Sequence, residues 1–322
     1  MKQMNFILIF TAFLMLSGCL QQSPPDNNST GEAKLSGTIS ISGAFALYPI
    51  TVLWAEEFQK LHPDVRIDIS AGGAGKGMAD ALSKVVDLGM FSRNVTDQEK
   101  EKGAWYIAVT KDAVLPTTCA SNKNLALLWK KGMTKEQFRK IFVSEEIKDW
   151  GLLFGVEAKE SINIYTRSDA CGAAEMWAQY LGGHQENLAG IGVFGDPGIA
   201  DALKNDAQGI GFNNVNYVYD YRTKKKYPGL EVIPIDINEN GVVDPGENFY
   251  GTIDEVLEAV KNGIYPSPPA RELYFVSKGK PENKTAIEFL KWILNDGLQF
   301  LDEAGYVELS EERIVEEKEK LR

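Results

Sequence analysis

The sequence predicts an α/β fold in which strands alternate with crossover helices. Apolar residues alternate over 35–42 as in a strand, and a spacing of three and four over 46–61 indicates a helix. A strand over 65–70, a helix over 78–86 and a strand over 87–91 continue the order. Because β-α-β units lay their strands parallel, we expect helices to cover a largely parallel sheet.

The middle and the end of the chain repeat this pattern. A strand over 162–165, a polar loop over 166–172 and a helix over 173–181 follow one another, and a strand over 273–276 precedes an amphipathic helix over 285–295. In such folds ligands bind beyond the carboxyl ends of the strands, where helices begin. The loops at these points are therefore the candidate binding segments.

Composition limits the classes of function that the chain can have. The 322 residues are enough for two domains, and 44% hydrophobic with 25% charged residues is typical of a globular protein. A formal net charge of -11 makes the chain a poor candidate for nucleic-acid binding, which needs basic patches. Any anion site must therefore be local and built from a few donors.

The N-terminus has the features of an export signal. Lys2 precedes an apolar stretch over 4–16 that is too short to span a bilayer. Leu16-Ser17-Gly18-Cys19 resembles a bacterial lipobox, so we expect residues 1–18 to be a signal peptide and Cys19 to carry a lipid. A plain signal peptide is the alternative. The polar, Pro- and Asn-containing residues 19–33 are then a flexible tether.

Four turns between a strand and a helix could hold an oxyanion. They lie at Ala44-Phe45, at Gly73 to Gly77, at Ser92-Arg93 and at Cys171-Gly172-Ala173. Backbone N–H groups and the helix dipole favour an anion at such a turn. Arg167, four residues before Cys171, adds a planar guanidinium that can donate hydrogen bonds to two oxygens of an anion.

Two enzymatic alternatives are weaker. Lys76 follows glycines, but Gly77 stands where a P-loop has its Ser or Thr, so nucleotide binding is disfavoured. Cys171 with His184 would suit a thiol enzyme, yet His184 lies in a polar stretch. We therefore expect no catalysis. Cys119 and Cys171 are either a disulfide or two buried thiols.

Residues 236–247 match a calcium-binding loop at each informative position. Gly241 permits the sharp turn, and the flanks do not read as two helices. A structural Ca²⁺ in this loop is expected, and an acidic hairpin without metal is the alternative. A calcium-dependent adhesion protein is a further, less favoured function. The expected ligands are Asp236, Asn238, Asn240, the Val242 carbonyl, Asp244 and Glu247.

Four segments together resemble the phosphate-binding proteins of Pst-type phosphate ABC transporters. They are SGAFALYP at 42–49, DLGMFSR at 87–93, YTRSDACGAAE at 165–175 and the stretch from Tyr265-Pro266 to Arg271-Glu272-Leu273-Tyr274. The segments occur in the family order and cover almost all of the mature chain. The set is specific, although each segment alone is not.

The resemblance implies a two-lobe periplasmic-binding-protein fold of type II, with a mixed sheet and flanking helices in each lobe and a hinge between them. Lobe 1 is expected over 34–116 and 272–322, and lobe 2 over 117–271. The resemblance also implies an extracytoplasmic binding protein, expected as a monomer, that closes on its anion and delivers it to an ABC permease.

The residues expected at the anion site are Ala44, Phe45, Ala74, Gly75, Ser92, Arg93, Arg167, Cys171, Gly172 and Ala173. The family places hydroxyl side chains around the anion, whereas this chain has Ala44, Ala74, Cys171 and Ala173. Some members use an Asp that accepts the proton of hydrogen phosphate, and Arg93 occupies the like position here. The acceptor could be Asn94, Asp169 or a main-chain carbonyl. Sulfate, molybdate or tungstate is therefore the alternative ligand.

Overall fold

A computed structural model describes residues 34–155 and 160–322. The expected signal peptide over 1–18, Cys19 and the expected tether over 19–33 lie outside these residues. Among the described residues, none of the helices combines the length and hydrophobicity that crossing a bilayer requires.

The strands are β1 (Gly37–Gly43), β2 (Val65–Ala71), β3 (Leu88–Phe91), β4 (Ala104–Cys119), β5 (Asn163–Arg167), β6 (Ile191–Val193), β7 (Gly209–Asn214), β8 (Leu230–Val232) and β9 (Ala270–Lys278). The α-helices are α1 (Tyr48–Leu61), α2 (Ala74–Leu82), α3 (Asp97–Glu101), α4 (Leu125–Lys131), α5 (Lys135–Phe142), α6 (Trp150–Phe154), α7 (Gly172–Tyr180), α8 (Gly195–Lys204), α9 (Ile253–Lys261), α10 (Lys284–Ile293) and α11 (Glu311–Glu319).

The strands form a mixed sheet in the order β2-β1-β3-β9-β4-β7-β5-β6, with β8 paired to β4. The pairs β1–β2, β1–β3, β5–β6 and β5–β7 are parallel. The pairs that β9 and β4 make with their neighbours are antiparallel. The sheet is therefore mixed and flanked by helices, as the α/β prediction requires.

Strand β4 runs through both halves of the molecule. Its first part pairs with β9 from Ala104 to Ala113, and its second part pairs with β7 from Val114 to Thr118. Buried apolar residues form one cluster that includes Val109 and another that includes Ala113. Each half therefore has its own hydrophobic core, and β4 and β9 connect them. The expected boundaries at 116/117 and 271/272 fall within these two strands.

Two helices begin at other residues than the periodicity predicts. Helix α2 starts at Ala74 rather than at residue 78, because Gly73 has a φ of 87° and turns the chain directly from β2 into the helix. Helix α1 starts at Tyr48 with Pro49 in its first turn, where a missing N–H costs nothing. Both helix N-termini consequently lie directly after a strand, beside the candidate loops.

Candidate functional site

The N-terminus of α7 offers two free backbone donors. Cys171 is the N-cap residue, and its Sγ accepts from the N–H of Ala174 at 3.3 Å. The N–H of Cys171 donates to Gln185 Oε1 at 3.1 Å. The N–H groups of Gly172 and Ala173 donate to no acceptor among the described residues. Together with the helix dipole they form a site that favours an anion.

Arg167 lies at the end of β5, directly before this helix, and is 5% exposed. Its Nε and Nη2 donate to the carboxylate of Asp169 at 2.8 and 2.7 Å. Its Nη1 donates to Asp196 Oδ2 at 2.6 Å. A guanidinium has five N–H bonds, so both Nη atoms keep one N–H each for a further acceptor. Burial in this network fixes the fork beside the α7 N-terminus.

Asp196 was not among the residues expected at the site. It is fully buried in the first turn of α8, and its Oδ1 accepts from the N–H of Asn214 at 2.9 Å. A carboxylate buried to this degree needs a cation and N–H donors, and Arg167 supplies the cation. The sequence signal for Asp196 was weak, because helix α8, in whose first turn it lies, follows a strand of only three residues.

The two halves touch each other at the candidate loops. A Cβ added to Gly75 would lie 2.7 Å from the Cβ of Ala170, and the N–H of Gly75 donates to the Ala170 carbonyl at 2.9 Å. A Cβ added to Gly172 would lie 2.5 Å from the carbonyl carbon of Ser92. A side chain at either position would displace atoms of the facing loop, so glycine is the only residue that fits this arrangement. The structure is therefore a closed arrangement in which loops from both halves meet.

Phe45 covers the Arg167 guanidinium from the other half of the molecule. The ring centroid lies 5.4 Å from the Arg167 Cζ, and the ring packs edge-on against Phe194 at 5.8 Å. Tyr217 Oη donates to the Phe45 carbonyl at 3.1 Å. Phe45 therefore contributes an aromatic wall, in addition to a backbone N–H for which no partner is recorded among the described residues.

The other residues expected at the site on this side of the cleft are buried, and one of their donors is already bonded within the protein. The N–H of Ala44 donates to the Met90 carbonyl at 2.9 Å, which joins β1 to β3. Ala74 is buried at the start of α2. Ser92 is also buried. Its hydroxyl lies so close to Gly172 that a side chain at position 172 would clash with it. Of these residues, Ser92 is the one that contacts the α7 N-terminus.

Arg93 is paired with a carboxylate of its own lobe. Its Nη2 and Nη1 donate to the two oxygens of Glu99 at 2.7 and 3.0 Å, and its Cζ lies 4.5 Å from the Phe91 ring centroid. Asn94 is exposed, and both Asp169 oxygens already accept from Arg167. Asp169 is therefore held in an ion pair with Arg167, and the side chain of Asn94 lies at the surface.

A second buried arginine stands beside Ser92. Arg271, on β9, is 6% exposed, and its Nε donates to the Ser92 carbonyl at 3.3 Å. Its Nη2 donates to Asn214 Oδ1 and lies 3.5 Å from Asp112 Oδ2. Burial raises the pKa of Asp112 to about 6, against the opposing effect of Arg271. The sequence resemblance contained Arg271 but assigned it no role.

The thiol-enzyme alternative finds no support in the geometry. Cys119 and Cys171 are both buried free thiols. Burial raises the pKa of Cys171 to about 12, so the thiolate required for nucleophilic attack does not form at neutral pH. His184 is exposed, and its Nδ1 lies 2.9 Å from Glu175 Oε1.

The calcium-type loop folds around two buried carboxylates. Asp236 is 1% and Glu247 5% exposed. Asp236 accepts from the N–H of Gly241 at 2.8 Å, and Glu247 accepts from the N–H of Ile237 at 2.9 Å and of Asn238 at 3.0 Å. Within residues 34–155 and 160–322, no group of three His, Cys, Asp or Glu side chains is arranged to hold a metal ion.

Sequence comparison relates the whole chain to known proteins. The profile of the PBP superfamily domain matches residues 28–296. The phosphate-binding protein PstS of Bacillus subtilis is 25% identical over 321 residues, which cover 97% of this chain and 96% of that protein. The phosphate-binding protein PstS of Pseudomonas aeruginosa is 26% identical over 298 residues, covering 85% and 84%.

Solved structures show the same fold. A phosphate ABC transporter substrate-binding protein from Clostridium perfringens, solved with bound phosphate, has a TM-score of 0.69 and 22% identity, covering 85% of this chain and all of that one. An ABC-type phosphate transport receptor from Vibrio cholerae has a TM-score of 0.61 and 18% identity. These likenesses confirm the two-lobe fold. Because the profile match covers most of the sequence, the chain belongs to the PBP superfamily.

Proposed function

We propose that this chain binds inorganic phosphate between its two lobes and delivers it to an ABC permease. The observation that carries the proposal is the N-terminus of α7. Two N–H groups without partners, at Gly172 and Ala173, lie beside the buried fork of Arg167 and against Ser92 of the other lobe. This arrangement suits a tetrahedral oxyanion. The relatives that match along almost the whole chain are phosphate-binding proteins.

The proposed role involves capture and release without turnover. Closure brings donors of both lobes to one anion and reopening frees it. Neither Cys171, with its raised pKa, nor the exposed His184 provides a nucleophile. We expect a monomer, tethered outside the cytoplasm through a lipid on Cys19. The Leu16-Ser17-Gly18-Cys19 pattern supports this location, and Cys19→Ser should release the protein from the membrane fraction.

Calorimetric titration of the phosphate-stripped protein tests the main proposal. We expect phosphate to bind more tightly than sulfate, molybdate or tungstate. Arg167→Lys keeps the charge that Asp169 and Asp196 require but removes the fork, and should weaken phosphate binding by about 100-fold. Arg139→Lys is the matched control, because Arg139 is partly exposed and pairs with Glu136. An unchanged affinity in Arg167→Lys would contradict the proposed site.

A different oxyanion is the second candidate. Its support is that alanines and Cys171 stand where the resembled family has hydroxyls, so the site has fewer side-chain donors. Tighter binding of sulfate, molybdate or tungstate than of phosphate in the same titration would establish this alternative. Absence of heat with all four anions would overturn both candidates.

We also propose that the loop over 236–247 binds one structural Ca²⁺. The buried carboxylates of Asp236 and Glu247 and the Gly241 φ of 84° support it. Calcium should raise the melting temperature of the wild type but not that of Glu247→Gln. Glu282→Gln, at an exposed side chain, is the control. An equal response to calcium in wild type and Glu247→Gln would refute this site.

A further inference from the structure

The side chain of Gln185 holds the backbone of the loop between β5 and α7. Its Nε2 donates to the Asp169 carbonyl at 2.7 Å, and its Oε1 accepts from the N–H of Cys171 at 3.1 Å. Gln185 begins a short 3₁₀ turn, Gln185–Asn187, which follows α7 in the chain. One side-chain amide therefore bonds the backbone on both sides of Ala170.

These two bonds fix the direction in which the Ala170 carbonyl points. Cys171 has an extended backbone, with a φ of -138° and a ψ of 154°. In an extended chain the peptide groups of successive residues point to opposite sides, as they do in a β-strand. Because Gln185 bonds Asp169 and Cys171 from one side, the carbonyl of Ala170 points to the other side.

On that other side the Ala170 carbonyl meets the first turn of α2, which belongs to the other lobe. It accepts from the N–H of Gly75 at 2.9 Å. The N–H groups in the first turn of a helix have no partner within the helix, so this carbonyl supplies one. A Cβ added to Gly73 would lie 3.0 Å from the same oxygen, which shows how closely the two loops pack. The contact therefore joins the lobes in the closed arrangement.

Gln185 is itself held by α7, the helix whose N-terminus forms the candidate site. Glu175, in the first turn of α7, accepts from the N–H of Gln185 at 3.0 Å, and its Oε1 lies 2.9 Å from Nδ1 of His184. Beyond the turn, the N–H of Ala189 donates to the Phe142 carbonyl at 2.7 Å. A group that is fixed before the lobes close loses little conformational freedom on closure.

We propose that Gln185 is a positioning residue for closure of the two lobes on the anion. It acts through the backbone of residues 169–171, by directing the Ala170 carbonyl at the N–H of Gly75. Without its two bonds this segment moves, the contact with Gly75 weakens, and a smaller fraction of the protein is closed. The apparent affinity for the anion falls in proportion to that fraction. The inference rests on the proposed function, because it concerns closure of the same interlobe site.

Two variants and two measurements test the inference. Gln185→Met keeps the length of the side chain without its donor and acceptor, and Gln185→Ala removes them without adding bulk. By calorimetry, the Kd for phosphate should rise about 10-fold or more in both variants, as expected for the loss of two hydrogen bonds. The melting temperature without phosphate should fall by no more than about 5 °C.

Hydrogen exchange in the phosphate-saturated protein, followed by NMR, reports on the contact itself. The N–H of Gly75 should exchange at least about 10-fold faster in both variants than in the wild type. The N–H of Ala81, later in the same helix, should keep its wild-type rate, which a general loss of stability would not allow. Gln179→Met is the matched control. Gln179 is half-buried on α7 and donates to Glu175 at 2.9 Å, and its replacement leaves both loop bonds of Gln185 in place.

The outcomes separate this inference from the proposed function. Wild-type affinity with a protected Gly75 N–H in both Gln185 variants would overturn the inference alone. Loss of the fold in both variants, or equally accelerated exchange at Gly75 and Ala81, would make Gln185 a merely structural residue and overturn it too. An equal loss of affinity in Gln179→Met would have the same consequence. No binding of phosphate by the wild type would overturn the function and the inference together.

Discussion

Replacing Gly172 by alanine should abolish closure without harming the fold. A Cβ at this position would lie 2.5 Å from the Ser92 carbonyl carbon and closer still to its oxygen, whereas ordinary contacts begin at 3.4 Å. Because the Ser92 oxygen would lie only 2.1 Å from this Cβ, a separation of at least about 1.3 Å is required. Ser92 cannot yield easily, because Arg271 holds its carbonyl. Separating the lobes is the least costly way to relieve the clash.

The cost in affinity follows from the donors that separation removes. Hydrogen bonds to a charged group contribute about 1.5–3 kcal/mol each. Losing two of them across the cleft costs about 3–6 kcal/mol, which weakens phosphate binding by roughly 10²- to 10⁴-fold. The α7 helix itself should not suffer, since Gly172 lacks a positive φ and alanine is the better helix former.

Calorimetry and thermal unfolding measure the two effects separately. Gly172→Ala should keep the wild-type melting temperature without ligand and lose the increase that phosphate gives to the wild type. Gly246→Ala is the control, because a Cβ there meets no atom within 4 Å and the φ is ordinary. If Gly172→Ala binds phosphate as tightly as the wild type, the closed contact seen here has no part in binding.

Three further predictions concern single side chains. Arg93→Ala should change phosphate affinity by no more than about threefold by calorimetry, because Arg93 pairs with Glu99; a loss of about 100-fold would place it in the site. Cys171 should resist alkylation at pH 8 in the folded protein, since burial raises its pKa to about 12, and mass spectrometry of the labelled peptide would expose any rapid reaction. Asp112 should make the free energy of unfolding fall as pH rises. Burial raises the pKa of Asp112 in the folded protein from 3.8 to about 6. Its protonated form therefore stabilises the fold at low pH, and this contribution is lost as pH rises through 6. In urea unfolding without phosphate, the free energy of unfolding of the wild type should fall by about 1–1.5 kcal/mol relative to that of Asp112→Asn between pH 5 and pH 8. The same pH dependence of unfolding free energy in both proteins would refute this.

Local patterns in the sequence were sufficient to locate the N-terminus of α7, although they missed the first residues of α1 and α2. The order from Arg167 through Cys171 to Ala173 predicts a strand, a turn and a helix, and β5 and α7 have these positions. Such a prediction works because the backbone donors of a helix N-terminus depend on residues within one turn of each other. The same reasoning placed β1, β2 and β3 within a few residues of their observed bounds.

Side-chain partners at larger separations could not be read in this way. Arg93 has the residue type of an anion contact, yet it pairs with Glu99, and Ala44 gives its N–H to Met90. A donor is available to a ligand only if no neighbour satisfies it, and the neighbours come from packing. The sequence could therefore identify candidate hydrogen-bond donors, but it could not show which of them already donate to another group of the protein.

The sequence by itself determined the α/β class, the strand-to-helix turns and the resemblance that points to an oxyanion. The tertiary structure alone decided the interior of the site. It joined Asp112 to Arg271 through the antiparallel pairing of β4 with β9 and placed Asp196 on Arg167. The physical reason is that hydrophobic periodicity and turn geometry depend on residues close together in the sequence. The partners of buried charges, in contrast, lie far apart in the sequence and are brought together by packing.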